Sequence, residues 1–233
     1  MTAANSELWI AENLAPRKPI VDPSWPHEVV VKLFSSRSYS EISAGFLNIL
    51  RANVLDVGCY YGNCIRFFEG RGHRCTGVEA TDDMVEEAKK NIERMDLKAT
   101  VRRGTNRNLP FDDGDFDLVT SLNTIHYDHG EMDVLAALRE FKRVTKPGGI
   151  VFVETAGDRH MIREGAKRIA PLKWEPNWGD FRNNSPSPYG LFDNLDHFRE
   201  IVSTVFPRSE FGRILEQYPK RTVDFVFAVC EAS

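Results

Sequence analysis

The chain has no apolar run near the roughly 18 residues that a membrane-spanning helix needs. Its first residues, MTAANSELWIAENLAPRKP, lack the apolar core of a secretory signal. Only four cysteines occur, Cys59, Cys64, Cys75 and Cys230, and none forms a CxxC pair or a Cys/His spacing that suits zinc. These absences predict a cytoplasmic protein with reduced thiols, no membrane partner and no bound metal. Excess positive charge is missing too. The formal net charge is −4, which argues against a nucleic-acid partner held by its phosphates. Internal repeats and low-complexity tracts are absent.

What is present is an alternation. NVLDV, HRCTGVE, KATVRRG, FDLVTSL and IVFVET read as five short strands, rich in apolar and β-branched residues. Between them, NCIRFFEGRG, TDDMVEEAKKNIERM and GEMDVLAALREFKRVT read as helices, the second opened by Thr81 as N-cap and the third stopped by Lys146-Pro147-Gly148-Gly149. Such an order predicts an α/β fold with a doubly wound, mostly parallel sheet covered by helices on both faces. EFGRILEQY and TVDFVFAVCEA, joined by a short turn, predict a closing antiparallel hairpin after the helix DNLDHFREIVSTVF. Before the sheet, Pro26 suits the first turn of a helix, and two short helices are expected up to about residue 50. DRHMIREGAKRI could be a further helix. The aromatic, proline-rich PLKWEPNWGDFRNNSPSPYGLF reads as a long loop of the kind that serves as a lid.

The chemistry concentrates in VLDVGCYYGN. A strand ends in Asp56, and Gly58 and Gly62 bracket a turn that lets backbone approach a ligand at the start of a helix. The next strand ends in Glu79, about 20 residues on, where an acid can accept from ribose hydroxyls. The GxGxxG of dinucleotide sites is missing, so an NAD-dependent oxidoreductase is disfavoured. Asp56 would repel a pyrophosphate and attract an ammonium, which points to S-adenosylmethionine.

The segments VLDVGCYYGN, GVEAT, GTNRNLPFDDGDFDLVTSLNTIHY and FKRVTKPGGIVFVET resemble, in this order, the class I S-adenosylmethionine-dependent methyltransferases, specifically the small-molecule, type 11-like branch. The resemblance runs from about Val54 to Thr155. It implies a Rossmann-like seven-stranded sheet in the order 3-2-1-4-5-7-6 with the last strand antiparallel. It further implies two regions: residues 1–50 as an arm and helices over the cofactor site, and 51–233 as the methyltransferase domain, with a lid insertion at about 158–192. The cofactor would be S-adenosyl-L-methionine, leaving as S-adenosyl-L-homocysteine. Asp56, Gly58, Cys59 and Gly62 would line its methionine end, with Ser121 and Leu122 beside the methionine backbone. Glu79 would hold the ribose and Ala80 the adenine. Thr105 and Asn106 stand where the family carries Asp-Ala, so Thr105 or the Asn106 side chain would meet the adenine amino group. Arg37 is a candidate for the cofactor carboxylate, in competition with a plain surface role.

Tyr60 departs from the family pattern by replacing its middle glycine, which requires a negative φ or a displaced loop. Tyr60 and Tyr61 are therefore candidates for the acceptor wall, with packing against the N-terminal helices as the competing role. Trp25, Trp174, Trp178 and Tyr189 are further acceptor-pocket candidates. His126, after the fourth strand, and His160, after the fifth, are candidate general bases, each weighed against an ordinary structural histidine. The resemblance implies methyl transfer to an oxygen or nitrogen of a small-molecule acceptor, a sugar or secondary metabolite being the class considered. A cofactor-binding protein without turnover and a nucleic-acid methyltransferase remain as alternatives.

Overall fold

The computed structural model describes residues 26–177 and 188–233. Expectations placed on the arm before residue 26, on Trp25 and on Trp178 lie outside the described residues. Seven strands form one sheet: β1 (Asn53–Val57), β2 (Arg74–Glu79), β3 (Thr100–Arg103), β4 (Phe116–Leu122), β5 (Thr145–Ala156), β8 (Ser209–Tyr218) and β9 (Arg221–Glu231). Their order is β3-β2-β1-β4-β5-β9-β8. A two-stranded ribbon, β6 (Lys167–Ala170) and β7 (Lys173–Glu175), stands apart. With the ribbon set aside, this is the expected 3-2-1-4-5-7-6 arrangement. The pairs from β3 through β5 are parallel, and β9 runs antiparallel to both β5 and β8.

The strands are apolar on both faces because helices cover both faces. In β1, Leu55 and Val57 pack with Val119, Val151 and Val153 into one core. That core is closed by α5 (Glu131–Val144) and α6 (Leu195–Val205) through residues such as Leu138, Phe141, Phe198 and Val202. Val54 faces the other way and joins Leu118, Phe152 and Val229. Here the cover is α1 (Glu28–Leu33), α2 (Glu41–Phe46), α3 (Asn63–Glu69) and α4 (Asp82–Arg94). Phe34, Phe46, Phe68 and Phe152 meet edge to face in this layer, with ring centroids 5.5–6.0 Å apart.

Thr81 caps α4 as the sequence predicts, accepting from the Met84 N–H at 3.3 Å. Pro26 stands one residue ahead of the α1 N-cap, His27, rather than inside the first turn. β5 begins at Thr145, so Lys146-Pro147-Gly148-Gly149 forms the irregular start of the strand as well as the end of the helix. The expected helix over DRHMIREGAKRI is not formed. One tight turn, Met161–Arg163, is followed by the β6–β7 ribbon. Gly165 adopts φ +68°, so the backbone leaves the helical region where the helix would have to continue.

Candidate functional site

The turn after β1 sits at the carboxyl edge of the sheet, where open α/β folds bind ligands. Gly58 has φ +75°, and a Cβ there would lie 2.2 Å from Thr124 Cγ2. The turn is held against β2 by the Gly58 N–H, which donates to the Val78 carbonyl at 2.8 Å. Gly62, at φ +72°, caps α3, and its missing Cβ makes room for Ile92 and Met95 rather than for a ligand. Among described non-glycine residues, positive φ occurs at Asp96, Asn123 and Leu172, so Tyr60 replaces a glycine with an ordinary backbone. Its N–H donates to Glu79 Oε1 at 2.8 Å, and its carbonyl accepts from Asn91 Nδ2 at 2.9 Å. The two tyrosine rings meet edge to face, centroids 4.1 Å apart, along a cavity of about 370 Å³.

This cavity gathers Asp56, Gly58, Cys59, Tyr60, Tyr61 and Glu79 from the first two strands and their turn. Leu122, Asn123 and Tyr127 close it from β4 and the following turn, and Met84 closes it from α4. His27 enters it from the start of α1. Asp56 is 5% exposed and accepts from Thr120 Oγ1 at 2.8 Å. Burial pushes its carboxyl up to about 7, with the Thr120 bond and the His27 charge pulling the other way. Glu79 is 1% exposed, and burial pushes it up to about 8 against the Tyr60 hydrogen bond. The Cys59 and Cys64 thiols are pushed up as well, chiefly by burial, so neither is a poised nucleophile.

Three acceptors around the cavity have no hydrogen-bond partner among the described residues: Glu79 Oε2, Asn63 Oδ1 and Asn123 Oδ1. Asn123 also holds a left-handed backbone, φ +55°, at the cavity wall, where its N–H donates to the Glu154 carbonyl. A site built from buried acids and unsatisfied acceptors suits a ligand that brings hydroxyl and ammonium donors.

Other sequence candidates lie elsewhere. Ala80 is buried in a small cluster with Met84, Tyr127 and Ile162. Thr105 pairs through its backbone with Asn108. Asn106 is fully buried; its Nδ2 donates to Asp128 Oδ2 at 2.7 Å and to the Thr124 carbonyl, while its Oδ1 has no hydrogen-bond partner among the described residues. Ser121 Oγ pairs with Thr124 Oγ1 at 2.6 Å. Arg37 donates to Asn48 Oδ1 at the surface and does not line the cavity.

The two candidate bases are also displaced. His126 is 6% exposed between Tyr127 and Tyr189, and burial brings its pKa down to about 3. His160 uses Nδ1 to accept the Ile162 N–H, and its ring lies 5.1 Å from that of Phe225. Neither lines the cavity. Trp174 and Tyr189 pair through their backbones and close a small cluster of their own.

Missing from the sequence reading is Glu154, the acid inside the apolar IVFVET strand. It is fully buried, and His27 Nδ1 lies 2.7 Å from its Oε1. The partners are 127 residues apart, which no local spacing could reveal. The acid in a strand buried on both faces was the available signal.

Residues 54–149 match a family model described as a methyltransferase domain. The chain is 35% identical over 97 residues to an uncharacterized methyltransferase, YcgJ, of Bacillus subtilis (strain 168), across 41% of this chain and 37% of the relative. It is 29% identical over 187 residues to the S-adenosyl-L-methionine-dependent Diels-Alderase iliD of Neonectria sp. (strain DH2), across 75% of this chain and 67% of that one. The crystal structure of the N-methyltransferase NodS from Bradyrhizobium japonicum WM9, in complex with S-adenosyl-l-homocysteine, shares the fold. Its TM-score is 0.64 at 15% identity, covering 97% of this chain and 98% of NodS. The chain thus spans little more than a third of YcgJ. Among the described residues, no helix is long and apolar enough to cross a membrane.

Proposed function

We infer that this chain, whose residues 54–149 match a methyltransferase domain, is a class I S-adenosylmethionine-dependent methyltransferase that methylates an oxygen or nitrogen of a small molecule. The observation that carries this is the ring of buried acids and unpartnered acceptors at the glycine turn. Glu79 Oε2 would receive the ribose hydroxyls. Asp56, with Asn63 and Asn123, would receive the ammonium of the methionine end. Bound there, the cofactor supplies a methyl group made electrophilic by its sulfonium. The chain's own contribution is to orient that group, to balance its charge with carboxylates and to exclude water. Tyr60 and Tyr61 form one wall, and Met84 with Tyr127 forms the side where Ala80 lies. We assign the described part of residues 1–50, from residue 26 on, as the cover of this site and the described part of about 158–192 as the lid, in one cytoplasmic protein.

Binding of the cofactor without methyl transfer is a second reading. It is favoured by iliD, which matches 75% of this chain in sequence and is named a Diels-Alderase. Calorimetric titration with S-adenosylmethionine, S-adenosylhomocysteine and NADH tests the cofactor. S-adenosylmethionine is expected to bind at micromolar concentration and NADH not to bind. Absence of S-adenosylmethionine binding would remove both readings. Formation of S-adenosylhomocysteine in the presence of an acceptor separates the first from the second.

A further inference from the structure

A second cavity, of about 430 Å³, opens between α1 and the β8–β9 hairpin. Val223, Phe225 and Phe227 alternate out of β9 to form its floor, with Ile214 from β8 beside them and Val29 and Leu33 from α1 opposite. Its lining and that of the cofactor cavity have one residue in common among the described residues, His27. The His27 ring lies 5.7 Å from that of Phe225 on the groove side. Its Nδ1 is engaged by Glu154, and the described residues offer Nε2 no partner.

We propose that this groove admits the methyl acceptor, a neutral, flat and largely apolar molecule carrying one hydroxyl, and that His27 Nε2 takes the proton of that hydroxyl. The proposal rests on the methyl-transfer reading above. A negative charge is excluded because both cations at the groove are already paired and carboxylates outnumber them. Lys32 pairs with Glu28 at 2.7 Å. Arg213 is held by Asp224 at 2.7 Å and Asp158 at 3.0 Å. Glu216 adds a further carboxylate, accepting at 2.6 Å from the neutral Tyr218 hydroxyl. An anionic acceptor would have to displace a carboxylate from Lys32 or Arg213 and face Glu216, whereas a neutral apolar ring buries against the aromatic floor.

Proton removal is the task of the His27–Glu154 pair. The acceptor oxygen passes its proton to His27 Nε2 and uses the freed electron pair to bond the methyl carbon. The S–C bond breaks with its electrons on sulfur, so a sulfonium and a hydroxyl become a thioether, an ether and an imidazolium. Glu154, below the ring on β5, fixes the orientation of the ring and balances the charge it gains, as carboxylates behind basic histidines do. Burial lowers the His27 pKa, but the Glu154 hydrogen bond and charge, with Asp56 behind, outweigh burial and hold it above the ordinary histidine value. The other charged groups near it are Glu28 and Lys32 on its own helix and Arg213 on β8, all paired as above.

The test uses 2-naphthol as the neutral probe and 2-naphthoate as its charged counterpart. Binding is read by naphthol fluorescence and turnover by methyl ether formation, with calorimetric binding of S-adenosylmethionine measured on the same samples. The cofactor-loaded protein is expected to bind 2-naphthol and to reject 2-naphthoate. Val223→Trp, at a half-buried strand position, is expected to weaken 2-naphthol at least about tenfold by filling the groove. His27→Gln should lower kcat by about 10²–10⁴ and remove the rise of kcat with pH, the range a positioned base contributes. Bound cofactor with no 2-naphthol binding, or equal binding by Val223→Trp, overturns the groove. Full kcat with an unchanged pH profile in His27→Gln, or bound 2-naphthol that is never methylated, overturns the base. Failure of the wild-type protein to bind S-adenosylmethionine instead defeats the cofactor reading itself.

Discussion

Asp56 and Glu79 are carboxylates in a place that disfavours their charge. Each lies almost wholly out of water, and burial moves them to about 7 and about 8. The folded protein therefore holds more protons than the unfolded chain from about pH 4 upward, and its stability falls as pH rises through that window. His27 acts in the same direction. Its raised pKa lends stability at low pH that is lost as the ring deprotonates. Thermal melts of the ligand-free protein are expected to drop between pH 5.5 and pH 8.5, with Glu79→Gln flattening part of the decline. Calorimetry over the same range should show the opposite trend for S-adenosylmethionine. Its affinity should rise by up to about tenfold per pH unit for each proton released, because the ligand brings the cation these acids lack. Pairs of groups whose environments move their pKa values are a mark of functional sites. Here the mark coincides with unsatisfied acceptors in one cavity.

At the scale of elements, the β1–α3 turn is specified by contacts on both sides of the chain. Gly58 is required twice, by its φ of +75° and by Thr124, whose methyl group occupies the space of a Cβ. Gly58→Ala is expected to displace the turn, cost about 1–3 kcal/mol and weaken cofactor binding at least tenfold. Chemical denaturation paired with cofactor titration checks both effects. Gly77 has a related role in β2, since a Cβ there would meet Cys59 Sγ at 2.3 Å and push it towards the cavity. Tyr60 shows why a family glycine can be replaced. Its backbone needs no positive φ, and its N–H and carbonyl are both engaged by Glu79 and Asn91. The ribbon shows the opposite limit of local reasoning. DRHMIREGAKRI has helix-forming residues, yet Lys167–Ala170 pairs with Lys173–Glu175 instead.

For the molecule as a whole, Asp224 ties the closing hairpin to the loop after β5. It is fully buried, accepts two hydrogen bonds from Arg213 at 2.7 Å and one from the Arg159 N–H at 2.8 Å. A Cβ at Gly157 would collide with its carboxylate, so that loop is packed directly upon it. Asp224→Ala is expected to cost about 2–3 kcal/mol through the lost charge-assisted bonds, and this would appear in urea unfolding as a lower midpoint with an unchanged slope.

The parallel sheet, its closing hairpin and the turn that faces the ligand were legible in the residues themselves, and the strand order through the family resemblance. Strands such as NVLDV and IVFVET are buried on both faces and carry a continuous apolar signal, and the glycines and acids of the turn lie close together in the chain. Tertiary structure alone decided what surrounds that turn. It buried His126 beside Tyr189, tied the Asn106 amide nitrogen to Asp128, and set His27 against Glu154 across 127 residues. Periodicity and local spacing report on neighbours within a few residues. A side chain that meets its partner across the sheet leaves no such trace, because packing determines that meeting once the chain has closed.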